Sequence, residues 1–186
     1  MKRFAVLIAY WCLSFEIIDK EQLEWCVYSI EKRMTTIVTW VFILLIGSLC
    51  FGVIQSLIFT LFFFFLRQTT NGFHAHSYLS CLILSIAVEI VFLFIASIIS
   101  YSISIVSIIL ADIIIWKFAP SNNLCIHLDQ EEIWALKRKS HKRLIVVNIS
   151  YLLLIIFKPT ISSYALMGIL ADAVSLQKIK KGGAYE

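Results

Sequence analysis

From Thr35 to Leu66 the chain runs for 32 residues without a charged side chain. As one helix this stretch would measure roughly 48 Å at about 1.5 Å per residue, against a hydrocarbon core of about 30 Å. One crossing leaves much of it unused. Two brief crossings fit if the chain reverses within Gly47-Ser48-Leu49-Cys50-Phe51-Gly52, where two glycines permit a tight turn. Further apolar segments lie at about 78–97, 100–118, 144–157 and 160–176, which makes six spans in all. The fifth is short and gains length only if Lys142, Arg143 and Lys158 snorkel to the surfaces.

Composition agrees with lipid as the solvent. Hydrophobic residues make up 60% and charged residues 15% of the chain, whereas a soluble domain carries about 25% charge. A soluble enzyme, a disordered chain and a nucleic-acid binder are excluded together. The expected fold is all-α, a polytopic membrane bundle of about six transmembrane helices in a single integral membrane domain over residues 1–186. Its parts are an amphipathic interfacial segment at 1–34, a first hairpin at 35–66, a loop at 67–77 and a second hairpin at 78–118. A basic loop at 119–143, a third hairpin at 144–176 and a tail at 177–186 complete it.

The N-terminal segment opens with Lys2-Arg3 and an apolar run from Phe4 to Leu13, in the manner of a secretory signal. No small-residue cleavage site follows, so it is expected to be retained. Beyond Asp19, residues Leu23, Cys26, Val27, Ile30 and Met34 recur at helical spacing with charges between them, which predicts an amphipathic helix in the interface. Charge placement sets the orientation, because cytoplasmic segments collect Lys and Arg. With six spans and both termini inside, every Lys and Arg except Lys158 lies on the cytoplasmic side. The densest basic run, Lys137-Arg138-Lys139 with Lys142-Arg143, reads either as a topology determinant beside anionic lipid or as a docking surface for an acidic segment.

Five cysteines, at positions 12, 26, 50, 81 and 125, show no paired spacing, so no disulfide framework is expected. Ionisable groups at membrane depth are costly and therefore informative. These are Glu89, Asp112 and Asp172, each of which can serve as a pairing or polar-core residue or can line a reactive site.

The segment from Arg67 to Cys81 carries the strongest chemistry. A basic residue ends one span, Asn71-Gly72 turns the chain, His74 and His76 follow, and Cys81 begins the next span. A cysteine nucleophile needs its thiolate, and a nearby imidazole together with a helix N-terminus favours that anion. On one continuous helix His74 and Cys81 would lie about 10.5 Å apart along the axis, beyond the reach of a general base. The helix must therefore start after His74, with Gly72 in a left-handed turn folding the loop back over the helix end. His76 is the rival base. Two other readings stand beside a dyad: an interfacial loop with a packed cysteine, and a metal site made of His74, His76 and Cys81, for which no fourth ligand is evident.

The run of Arg67, Gly72, Phe73, His74, Ala75 and Cys81 between apolar hairpins resembles the accessory gene regulator B (AgrB) family, the membrane cysteine endopeptidases that mature quorum-sensing peptides in Gram-positive bacteria. The resemblance implies Cys81 as nucleophile, His74 as its partner, and Arg67 and Gly72 as supporting residues, with no cofactor and no metal. It further implies an AgrD-like propeptide as substrate, cleaved at its acidic C-terminal tail and cyclised to a thiolactone or lactone. The expected surroundings are a Gram-positive cell membrane, with lipid contacts, a homodimer, and the termini and catalytic loop in the cytoplasm. Lys137, Arg138 and Lys139 would receive the acidic tail, and Arg67 would bind tail carboxylates or stabilise the oxyanion. Asn71 departs from the family pattern, which usually has a second glycine there, and residues 124–129 lack its proline-bearing pattern. The alternative is a small membrane transporter or metal-handling subunit that uses the histidine loop and the intramembrane carboxylates.

Overall fold

A computed structural model describes residues 2–72, 78–99, 101–121 and 129–180. Among the described residues the chain is helical and without strands: α1 (Lys2–Ser14), α2 (Leu23–Phe51), α3 (Val53–Thr70), α4 (Tyr78–Ile98), α5 (Tyr101–Phe118), α6 (Gln130–Phe157) and α7 (Pro159–Lys180). Five of these, α2, α3, α4, α6 and α7, contain windows long and apolar enough to cross a membrane. The expected span at 100–118 falls on α5, a further helix of 18 residues. The chain is a multi-pass membrane protein. Its residues group into two compact units, 1–42 and 43–186.

In the first unit, Ala5 and Ala9 are buried on one side of α1, while Phe4, Leu7, Tyr10 and Trp11 are exposed, as suits a lipid-facing surface. Glu16 ends α1 in the left-handed region (φ 57°). The Ile17 amide donates to the Cys12 carbonyl at 3.0 Å and the Glu16 amide to the Leu13 carbonyl at 3.1 Å, the bond pair of a Schellman stop. Where the sequence suggests a separate interfacial helix followed by a span, α2 runs unbroken from residue 23 to 51. The reason is local, since no proline or glycine occurs from Leu23 to Ile46 to interrupt the backbone.

The second unit opens with the reversal expected from the glycines. Gly52 alone makes it, at φ 101°, and the chain returns so closely that the Ser56 hydroxyl reaches the Leu44 carbonyl at 3.5 Å. α7 is the centre of this unit, packing against α3, α4, α5 and α6. Lipid tails leave little hydrophobic force between helices, so close packing depends on small residues. α7 accordingly buries Ser162, Ala165, Ala171 and Ala173. Gly168 permits the closest approach, because a Cβ there would stand 2.7 Å from the Phe59 carbonyl oxygen of α3.

The basic run at 137–143 lies on α6, where the sequence suggests a loop. Asp129 and Glu132 form a capping box, with the Asp129 amide donating to Glu132 Oε2 at 3.2 Å. Helix-favouring residues follow, so the helix starts 14 residues before the apolar segment. α6 is fixed to its neighbours by two basic side chains. His141 stacks on Trp116 of α5 with centroids 3.8 Å apart, and Arg143 donates to the Phe65 carbonyl at 2.7 Å and to Gln68 at 3.0 Å.

Candidate functional site

Cys81 occupies the first turn of α4, which begins at Tyr78, and its side chain is partly exposed. His74 and His76 lie outside the described residues, and with them the distance on which a dyad depends. Among the described residues, Arg67 lies within electrostatic reach of Cys81. This residue sits in the last turn of α3, within electrostatic reach of Asp172 as well.

Arg67 is held from the side by α7. Its Nη1 donates to Ser175 Oγ at 2.7 Å, and the Ser175 hydroxyl donates to the Asp172 carbonyl at 2.6 Å. The Asp172 carboxylate is 0% exposed and accepts from the Thr70 hydroxyl at 2.9 Å. The end of α3 is thereby joined to α7 through two hydroxyls and one carboxylate. A further backbone bond, from the Ser121 amide to the Thr70 carbonyl at 2.8 Å, draws the segment after α5 to the same place.

Gly72 is buried beside this group, and the reason differs from the expected one. The left-handed residue that ends α3 is Asn71 (φ 50°, ψ 40°), a conformation asparagine tolerates better than most residues. Gly72 instead leaves space. A Cβ there would stand 1.6 Å from Arg67 Nη1 and 2.3 Å from Ser175 Oγ. The glycine is what lets the guanidinium and the Ser175 hydroxyl meet.

The three basic residues expected to act together are divided by the helical period. Arg138 and Lys139 line an open groove on one face of α6 with Glu131, Trp134 and Lys142. Lys137 borders a second groove, between α5 and α6, which also holds Asp112, Trp116, Lys117 and Asn148. Arg143 is turned to α3, as described above.

The remaining intramembrane acids are engaged elsewhere. Glu89 is 1% exposed and accepts from the Ser56 hydroxyl at 2.8 Å. Asp112 accepts from the Asn148 amide at 3.0 Å. Among the described residues no group of three or more His, Cys, Asp and Glu side chains could hold a metal ion. The contacts that sequence reasoning missed are Thr70 and Ser175. Both are common helix residues, and the one available signal was that Ser175 falls three positions after Asp172, on the same helix face.

Comparison with curated proteins and with solved structures gives no match. Residues 4–177 match the family described as Accessory gene regulator B, which spans nearly the whole chain. The block from Arg67 to Cys81, the helical membrane architecture and this match agree: the chain belongs to the accessory gene regulator B family, whose members take part in agr quorum-sensing propeptide processing.

Proposed function

We propose that the protein is a membrane cysteine endopeptidase that cleaves the acidic C-terminal tail from an AgrD-like propeptide and promotes its cyclisation. The observation that carries this reading is the place of Cys81 in the N-terminal turn of α4, with the Arg67 guanidinium, hydrogen-bonded to Ser175, within electrostatic reach of it. A cation and a helix N-terminus both favour a thiolate and the oxyanion that follows from its attack. His74 enters from the family resemblance as general base.

The Cys81 thiolate adds to the scissile carbonyl, and the tetrahedral oxyanion collapses as the C–N bond breaks. His74, which took the thiol proton, returns it to the leaving amine. The acidic tail departs and an acyl-enzyme thioester remains on Cys81. An internal cysteine of the propeptide then gives its proton to His74 and attacks this thioester. The Cys81 thiolate is released and a cyclic thiolactone forms; an internal serine would give a lactone. One thioester replaces another in the cysteine case, so cyclisation competes with hydrolysis where water is kept out. The membrane-edge position of Cys81 supports that exclusion.

The positive-inside asymmetry supports a cytoplasmic catalytic loop and cytoplasmic termini in a Gram-positive cell membrane. A propeptide made in the cytosol then meets the site directly. The α6 face bearing Arg138, Lys139 and Lys142 suits its acidic tail, and Lys137 adds positive charge on the adjoining face.

The test is co-expression with a cognate propeptide. Cys81→Ala and His74→Ala should each reduce tail release by about 10³-fold or more while the protein stays in the membrane. Inhibition should follow thiol alkylation and not chelation. Cleavage by Cys81→Ala would sink the mechanism, and chelator sensitivity would favour the metal-handling reading.

A further inference from the structure

We infer that α7 aims Arg67 at the reacting atoms, with Ser175 and Asp172 as positioning residues, so that this guanidinium serves the Cys81 centre rather than the carboxylates of the substrate tail. The inference rests on the functional reading above and goes beyond it by choosing between two roles for Arg67.

An arginine in the last turn of a span has a ready alternative. Its long side chain can extend along the helix and place the guanidinium among lipid headgroups or in water. Arg67 does not do so. Its Nη1 is bound to Ser175 on another helix, and the direction of the hydroxyl network explains why that bond is well formed. Ser175 spends its own proton on the Asp172 carbonyl, which leaves an oxygen lone pair facing the guanidinium. A serine whose proton pointed at Arg67 would repel it.

Asp172 supplies the second hold. Thr70 satisfies Oδ1, while Oδ2 is buried and accepts no hydrogen bond from the described residues. Arg67 lies within electrostatic reach of this carboxyl group. Taking a guanidinium partly out of water is costly unless an opposite charge offsets it. Gly72 completes the arrangement by leaving open the volume that the guanidinium fills. In the conformation so held by Ser175, Arg67 lies within electrostatic reach of Cys81.

Binding of tail carboxylates predicts a different geometry. A recruiting arginine gains from being exposed, as Arg138, Lys139 and Lys142 on α6 are. A group that stabilises developing charge gains from being fixed before the substrate arrives. Arg67 is of the second kind.

The experiment measures kcat and KM for propeptide cleavage by purified full-length Ser175→Ala and Asp172→Asn, in parallel with the rate at which iodoacetamide alkylates Cys81. The alkylation arm uses a background in which Cys12, Cys26, Cys50 and Cys125 are replaced by alanine. Each variant should lower kcat by about 10-fold to 100-fold with KM unchanged, and should slow alkylation. Ser175→Thr, which keeps the hydroxyl, should restore both. Asp172→Asn keeps the shape and an acceptor for Thr70, and Ser175→Ala leaves the buried carboxylate intact, so either one keeps the test informative if the other fails to fold. Unchanged kcat in folded variants overturns the inference, as does a rise in KM with kcat intact. If Cys81→Ala still cleaves, the functional reading fails and the alkylation arm decides alone. Slower alkylation in the variants then upholds the α7 positioning, and an unchanged rate overturns it.

Discussion

Glu89 and Asp172 are both buried acids on membrane-spanning helices, 1% and 0% exposed, and both depend on a neighbouring glycine. A Cβ at Gly47 would stand 2.2 Å from Glu89 Oε1 and 2.4 Å from Ser56 Oγ. A Cβ at Gly72 would strike Arg67, the cation near Asp172. The difference lies in depth and in the partner. Glu89 is near the middle of α4 and bonds to a hydroxyl, whereas Asp172 lies about one turn before the apolar stretch of α7 ends at Leu176, with Arg67 within electrostatic reach. Burial therefore does not by itself mark a reactive acid. The first locus links α3 and α4 through the Ser56–Glu89 hydrogen bond, and the second places a buried carboxyl group beside an oriented cation.

The largest expected effect separates the two directly. Arg67→Ala should reduce propeptide cleavage by about 10²-fold to 10³-fold with little change in the amount of membrane-inserted protein. Glu89→Gln keeps the size of the side chain and an acceptor for Ser56, and should leave cleavage within about threefold, since uncoupled packing changes cost little. Both are measured by tail release normalised to the protein in the membrane. If Glu89→Gln is as inactive as Arg67→Ala, the contrast between the loci is gone.

The two glycines should fail in different ways. Gly47→Val inserts side-chain atoms where the Glu89 carboxyl and Ser56 hydroxyl already meet, and should destabilise the protein by about 1–3 kcal/mol, read from unfolding in detergent. Gly72→Ala meets the far end of a flexible arginine together with Ser175. The fold should persist while cleavage falls by about 10-fold as the guanidinium moves. Loss of stability without loss of specific activity in Gly72→Ala would place Gly72 with Gly47 as a packing residue.

Much of this arrangement was legible in the sequence, and the limits have physical causes. The uncharged run at 35–66 required a reversal, and of the two glycines able to adopt a positive φ there, Gly52 makes it, at φ 101°. The block from Arg67 to Cys81 identified the end of α3 and the start of α4 because such polar residues are costly within the hydrocarbon and so mark where a span ends. Two element boundaries were misplaced for one reason. Charged residues from 23 to 34 and from 130 to 143 suggested breaks, but charge does not end a helix when caps and propensity support it, as in α2 and α6. The role of Gly72 was hidden because a glycine reads as conformational freedom, whereas here it is missing volume. Ser175 was hidden more deeply. Its partner is 108 positions away, and no local pattern reports a contact at that separation.

An exposed acid outside both buried loci gives the smallest effect and so calibrates the other two. Asp129 is exposed and caps α6, with Glu132 three residues on completing the box. Asp129→Ala should cost about 1 kcal/mol through unsatisfied amides in the first turn, seen as faster hydrogen exchange there. Little of that cost should reach the site, since α6 is separately anchored by His141 on Trp116 and by Arg143 on the Phe65 carbonyl, both about three turns or more beyond the cap. Fraying at Asp129 that spread past these anchors and lowered kcat would mean that α6 transmits order to the end of α3. The Phe65 carbonyl and Gln68, which Arg143 binds, flank Arg67 on that helix. In that event the orientation of Arg67 would have a second source besides α7, and the contrast between Asp172 and the other acids would be one of degree.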